Sequence, residues 1–257
     1  MTLSNDLFTE CFVPEEKWEQ LKVLANNENW DYKNDTTSYK YPILRNYIIH
    51  TYKRLIFLQE AEPNSNFINI KDKWVCFNTG LLTDNYEEIY MLWAKNHVEG
   101  KQPWFCKGFF KESDKYILRL GNLPERAYYF NSLNDLILNT KLEIIPNLDH
   151  ILNDPENLSR IPKDIRDSPY LLQSFNGALV NMKKRLKANY KIAVPHYYNN
   201  KIQLLLPICL TNQTQPDVVL AVERVKSCYR GSTCLTLDMA YNNARLIAKP
   251  ETDWLAR

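Results

Sequence analysis

Four short stretches of this chain hold the residue types and spacings that could do chemistry. In the C-terminal one, Asp238, Asn242, Arg245 and Lys249 stand at i, i+4, i+7 and i+11. A helix over Met239–Ala248 would therefore carry them on one face and turn Met239, Leu246 and Ile247 toward a core. There Arg245 could grip a phosphate bidentately and Asn242 read a base edge beside Asp238; an internal hydrogen-bonded cluster would use the same three side chains. A second stretch, Phe77-Asn78-Thr79-Gly80, joins residues that tolerate positive φ. A turn or bulge there could offer Asn78, Thr79 and backbone amides to a phosphate or base, or be a plain hairpin connection. A third gathers Lys183, Lys184, Arg185 and Lys187 ahead of Tyr190, His196, Tyr197 and Tyr198. Single-stranded nucleic acid asks for that mixture of cations and stackable rings, although a solvated helix end has the same composition. In the fourth, His150 follows Asp149 and could act as general acid or base with Arg160 or Arg166 on a phosphate, the alternative being a packed or capped histidine. Glu223-Arg224, at the end of an apolar run, divides in the same way between ion pair and site.

Other chemistries lack their residues. The six cysteines are scattered, with no C-x-x-C pair and no histidine at ligand spacing, so buried reduced thiols are expected and no metal. None of the six glycines forms a G-x-G-x-x-G or G-x-x-x-x-G-K pattern, and no cofactor is expected. A nucleophile elbow is missing as well. With 32 basic and 30 acidic residues the net charge is +2, so any nucleic-acid contact must come from a local patch. The sequence opens without a basic then apolar leader and holds no run long enough to span a bilayer; a cytoplasmic protein without membrane contact is expected, its oligomeric state open.

The elements that would position these residues follow from period and caps. Pro14 and the acids after it start a helix to Ala25, on which Trp18, Leu21 and Leu24 recur at helical spacing. Asn26–Tyr39 is polar and aperiodic, a loop. Pro42 opens a core helix to Ala61. Phe67–Ile70, Lys73–Phe77, Glu88–Ala94, Trp104–Phe110 and Tyr116–Leu120 read as strands, and Asn153–Asp167 as a polar surface crossing. Ser168-Pro169 starts the clearest helix, with Leu172, Phe175, Leu179, Met182 and Leu186 in step. Ile202–Leu210 and Val218–Val225 are near-continuous apolar runs, the pattern of central strands covered on both faces; Thr233–Leu237 is a further strand, and Thr236 or Asp238 can cap the helix over Met239–Ala248 that follows it. The expected class is α+β, with mixed or antiparallel sheets and packed helices. It is a single compact body over 40–257 preceded by an N-terminal helix and loop over 1–39.

Several of these pieces resemble one family. They are Trp74 to Leu81 with Ile89-Tyr90, Trp104 with Gly108-Phe109, Leu123-Pro124 with Ala127 and Tyr129-Phe130, Asp149-His150-Ile151-Leu152, and Tyr229 through Leu246 closing on Asp253-Trp254-Leu255. Together they are similar to an uncharacterised bacterial and phage domain, a domain of unknown function, that occurs with cold-shock and OST-type winged-helix RNA-binding modules. The resemblance implies RNA work and carries no catalytic assignment. The resulting expectation is an RNA- or nucleotide-binding module in RNA metabolism or phage defence, with Asn78, Asp238, Asn242 and Arg245 lining its pocket. The alternatives are a metal-independent enzyme on a phosphodiester or nucleotide, using His150, and a protein-interaction scaffold.

Overall fold

Two sets of apolar, β-branched and aromatic runs each build a five-stranded sheet in the computed structural model, which describes residues 3–33 and 37–255. Residues 34–36 of the loop expected over 26–39 lie outside the described residues, as do Met1 and Thr2 of the expected leaderless start. The protein is of the α+β class with two mixed sheets, and the chain divides into two compact units, Met1–Tyr128 and Tyr129–Arg257.

The first unit runs α1 (Leu7–Glu10), β1 (Cys11–Phe12), α2 (Glu15–Leu24), α3 (Pro42–Ala61), β2 (Ile68–Lys71), β3 (Trp74–Leu82), β4 (Glu88–Lys95), β5 (Trp104–Lys111) and α4 (Lys115–Leu118). Its sheet has the order β1-β5-β4-β3-β2, antiparallel except for the parallel β1–β5 pair. The apolar face of α3 covers the sheet through Tyr52, whose ring meets Phe77 at 5.5 Å and Trp93 at 5.4 Å. The N-terminal helix is α2, and it is built into this unit: Trp18 packs on Phe109 at 6.0 Å and Glu15 pairs with Arg45 of α3. The strand expected over Tyr116–Leu120 is instead the short helix α4. Its aromatic and β-branched composition favoured a strand, but Asp114 accepts a hydrogen bond from the Tyr116 amide at 2.8 Å and caps a turn there.

In the second unit a 3₁₀ turn over Leu133–Asp135 precedes β6 (Glu143–Pro146), α5 (Leu148–Asn153), α6 (Pro155–Ser159), α7 (Lys163–Arg166) and α8 (Leu171–Ala188). A second 3₁₀ turn, Tyr190–Ile192, leads into β7 (Val194–Tyr198), β8 (Lys201–Ile208), β9 (Val218–Val225), β10 (Cys228–Leu235) and α9 (Leu237–Arg245). The sheet order is β6-β10-β9-β8-β7, with only β6–β10 parallel. Register places Leu204, Leu206 and Ile208 opposite Val222, Leu220 and Val218, and this face packs with Phe175, Leu179, Met182 and Leu186 of α8. Leu205, Val219 and Ala221 point the other way and are also buried, which explains the near-continuous apolar runs. Two short helices, α6 and α7, occupy the segment expected as a surface crossing; Asp154 caps α6 by accepting from the Asn157 amide at 2.9 Å. Thr236 caps α9, accepting from the Met239 amide at 3.2 Å.

The face of α9 meets the expectation only in part: Leu246 is buried and Lys249 exposed as expected, but Asp238 and Met239 are not so placed. Asp238 is 1% exposed and shares the buried side with Tyr241 and Ala244, while Met239 is only half-buried. Helical spacing says which residues share a face, not which face meets the sheet.

Candidate functional site

The polar stretches end in opposite situations. In the first unit, Asn78, Thr79 and Gly80 form a bulge inside β3, where the register against β4 shifts between Asn78 and Leu82. Gly80 has φ +76, and a Cβ there would stand 2.6 Å from the Tyr47 hydroxyl, so both conformation and space require glycine. Asn78 is 1% exposed. Its amide donates to Glu88 at 2.9 Å and its oxygen accepts from the Gly80 amide at 2.9 Å. The buried Thr79 hydroxyl donates to the Ile89 carbonyl at 2.6 Å and accepts from the Leu81 amide at 3.2 Å. Amides and side chains that could have met a phosphate are thus bound to one another.

In the second unit, α8 carries no acidic residue along its 18 positions and ends on Lys183, Lys184, Arg185 and Lys187. These cations complement the carbonyl end of the helix. Among the described residues, none of the four forms an ion pair with a carboxylate. Lys184 and Arg185 border a groove of about 640 Å³ whose helix wall also includes Ser174, Gly177 and Asn181, spaced by three and four along one side of α8. Lys183, half-buried, is not on that wall. The opposite wall is the β8–β9 connection, with Cys209, Thr211, Asn212 and Gln213.

That connection is held by its own polar groups. The Asp217 carboxylate accepts from the Leu210 amide at 2.6 Å, the Thr211 amide at 2.9 Å and the Thr211 hydroxyl at 2.5 Å. Asn212 accepts from the Thr214 amide at 2.8 Å. Across the groove, Arg185 donates to the Cys209 sulfur at 3.4 Å, a weak acceptor that leaves most of a five-donor guanidinium for a ligand. Gly177 sits mid-helix in ordinary helical conformation, and a methyl group there would meet no heavy atom within 4 Å. Packing does not ask for glycine at that position; the width of the groove is what its missing side chain supplies.

The remaining residues fall elsewhere. Asp238, Asn242 and Arg245 belong to α9 of the second unit and all have interaction partners, while Asn78 belongs to the first. His150 is exposed near the start of α5, its amide donating to Asn147 at 3.4 Å. Arg160 donates to the Cys234 carbonyl at 2.6 Å and pairs with Glu156; Arg166 donates to the Ser159 carbonyl at 3.2 Å. Glu223 pairs with Lys201 at 2.7 Å. Of the rings beside the cations, Tyr190 and Tyr198 are exposed, whereas Tyr197 is buried edge-on to Tyr129 at 4.9 Å. His196 is 1% exposed with neither ring nitrogen hydrogen-bonded, and burial pushes its pKa down to about 4. Gln203, its partner across the β7–β8 pair, pulls the other way without reaching hydrogen-bond geometry.

Burial pushes the thiols of Cys76, Cys106 and Cys234 up to about 12, so they are neutral small apolar groups. Among the described residues no three His, Cys, Asp or Glu side chains gather where a metal could be held, and no helix is long and apolar enough to cross a membrane. Sequence reading missed Gly177, Asn181 and the 209–213 wall. The first two lay in reach of it, a glycine and an asparagine on the same helical side as the cations; the loop wall left no local signal.

Fold and groove together define an α+β protein of two units, the second with an open cationic cleft. Residues 21–254 match a domain of unknown function, DUF3825, and the chain belongs to that family. No curated protein and no solved structure matches it.

Proposed function

We propose that this chain is an RNA- or nucleotide-binding module that holds phosphate in the groove along α8. One observation carries the reading: Lys184 and Arg185 line a cleft of about 640 Å³ without a carboxylate partner among the described residues. Cations left unpaired beside amide and hydroxyl side chains suit a phosphodiester, which takes charge from Lys and Arg and hydrogen bonds from Asn, Gln and Thr. The volume lies in the usual range of ligand sites. The resemblance to domains that accompany cold-shock and winged-helix modules supports the same reading, and the proposal extends to a role in RNA metabolism or phage–host conflict, in the cytoplasm.

The test is fluorescence anisotropy with a labelled single-stranded RNA across a salt series. The unaltered chain should bind with log affinity falling linearly in log salt. Lys184→Glu with Arg185→Glu should lower affinity by roughly a hundredfold and flatten the slope by about two. Unchanged affinity and slope in that variant, with the fold intact by circular dichroism, would sink the reading.

A further inference from the structure

A second hollow of about 440 Å³ lies in the same unit, between the β7 entrance and the chain that follows α9. Its walls are mostly aliphatic, with Leu138, Val194, Ala244 and Ile247 among them. At its border stand Tyr190, 47% exposed, and the cations Lys191 and Lys249. The wall beyond α9 is latched: the Trp254 indole donates to the Ile192 carbonyl at 2.9 Å and the Leu255 amide to the Thr252 carbonyl at 2.9 Å.

The two hollows share one connection. Arg185 borders the cationic groove, and five residues later Tyr190 borders the apolar one. Val194 pairs with Leu205 of β8, and Pro207, two residues further along the same strand, borders the groove. A ligand with an anionic backbone and flat apolar rings, the rings carrying hydrogen-bonding edges, matches that order of surfaces.

Resting on the phosphate reading of the groove, we infer that the hollow beside Tyr190 receives an unstacked nucleobase of the strand whose phosphates lie along α8. The aliphatic walls and the Tyr190 ring take the base faces, and Lys191 and Lys249 flank the neighbouring phosphate. Glu251, at the mouth, is a carboxylate with no ion-pair partner among the described residues and favours a base that presents an amino group.

The experiment compares a short RNA of cytosines with an abasic strand of the same length, on the full chain and on Ala248→Trp, which places a ring in the mouth from an exposed position. Glu251→Gln serves as a milder second variant. The full chain should bind the cytosine strand at least about tenfold tighter than the abasic one. Ala248→Trp should bring that ratio to about one with abasic affinity unchanged, and Glu251→Gln should lower it part way. Equal binding of both strands by the full chain overturns the base site and leaves the groove reading standing if Lys184→Glu and Arg185→Glu still weaken it. No binding of either strand overturns both readings. A ratio that survives Ala248→Trp overturns the base site and assigns the hollow to another occupant, an apolar peptide segment.

Discussion

The Asn78-Thr79-Gly80 bulge of the first unit and the α8 groove of the second present similar residue types to a reader of sequence, yet they differ in where their hydrogen bonds go. In the bulge, Asn78 and Thr79 bind Glu88, Gly80, Ile89 and Leu81. In the groove, Asn181, Lys184 and Gln213 face open space and Arg185 reaches only a thiol. A polar cluster whose donors and acceptors close on themselves is architecture. One whose donors stay open to solvent is free to meet a ligand, and the distinction lies in the partners rather than in the residues.

The largest expected effect is the response of the second unit to acid. With His196 held near 4 in the fold against 6.5 free, the unfolded chain binds a proton between those values that the folded chain refuses. Stability therefore falls as pH drops through that window, by up to about 3 kcal/mol. Hydrogen exchange should show protection in 129–255 declining from pH 6.5 to 4.5, and His196→Leu should flatten the decline. A decline of the same size in that variant would assign the effect to other groups.

Next in size, Asn78→Ala breaks two hydrogen bonds and strips Glu88 of a donor, for a loss of about 2 kcal/mol in urea unfolding with RNA affinity unchanged. Should affinity fall while stability holds, the bulge is a site and the contrast is reversed. Lys184→Ala with Arg185→Ala should do the opposite, weakening RNA binding by about tenfold or more while moving stability by less than about 0.5 kcal/mol. Smallest is Gly177→Ala, expected to stabilise α8 by roughly 0.5–1 kcal/mol while lowering affinity, because the methyl enters the groove and relieves a helix-interior glycine. A stabilised variant with full affinity would mean that the groove width is not used.

Helices α2, α3 and α8 were legible because each combines a terminal signal with an apolar stripe, and β8 and β9 because strands covered on both faces read as apolar runs. The α4 error came from Asp114, a cap lying just outside the run it decides. The face of α9 was misassigned because Asp238 is buried, and burial of a carboxylate is a tertiary matter with no local sign. For the candidate site, the charge run over 183–187 was visible and the other wall was not. Cys209 to Gln213 reach α8 only through the β8–β9 connection and its Asp217 clip.

The buried thiols have a practical consequence. Cys76 and Cys106 lie in the first unit and Cys234 in the second, all sealed and protonated, whereas Cys209 and Cys228 are partly open to solvent. An alkylating pulse would mark Cys209 and Cys228 at once and the others only when their own unit opens. The native sequence thus carries a separate clock for the breathing of each half, readable by mass without adding a label.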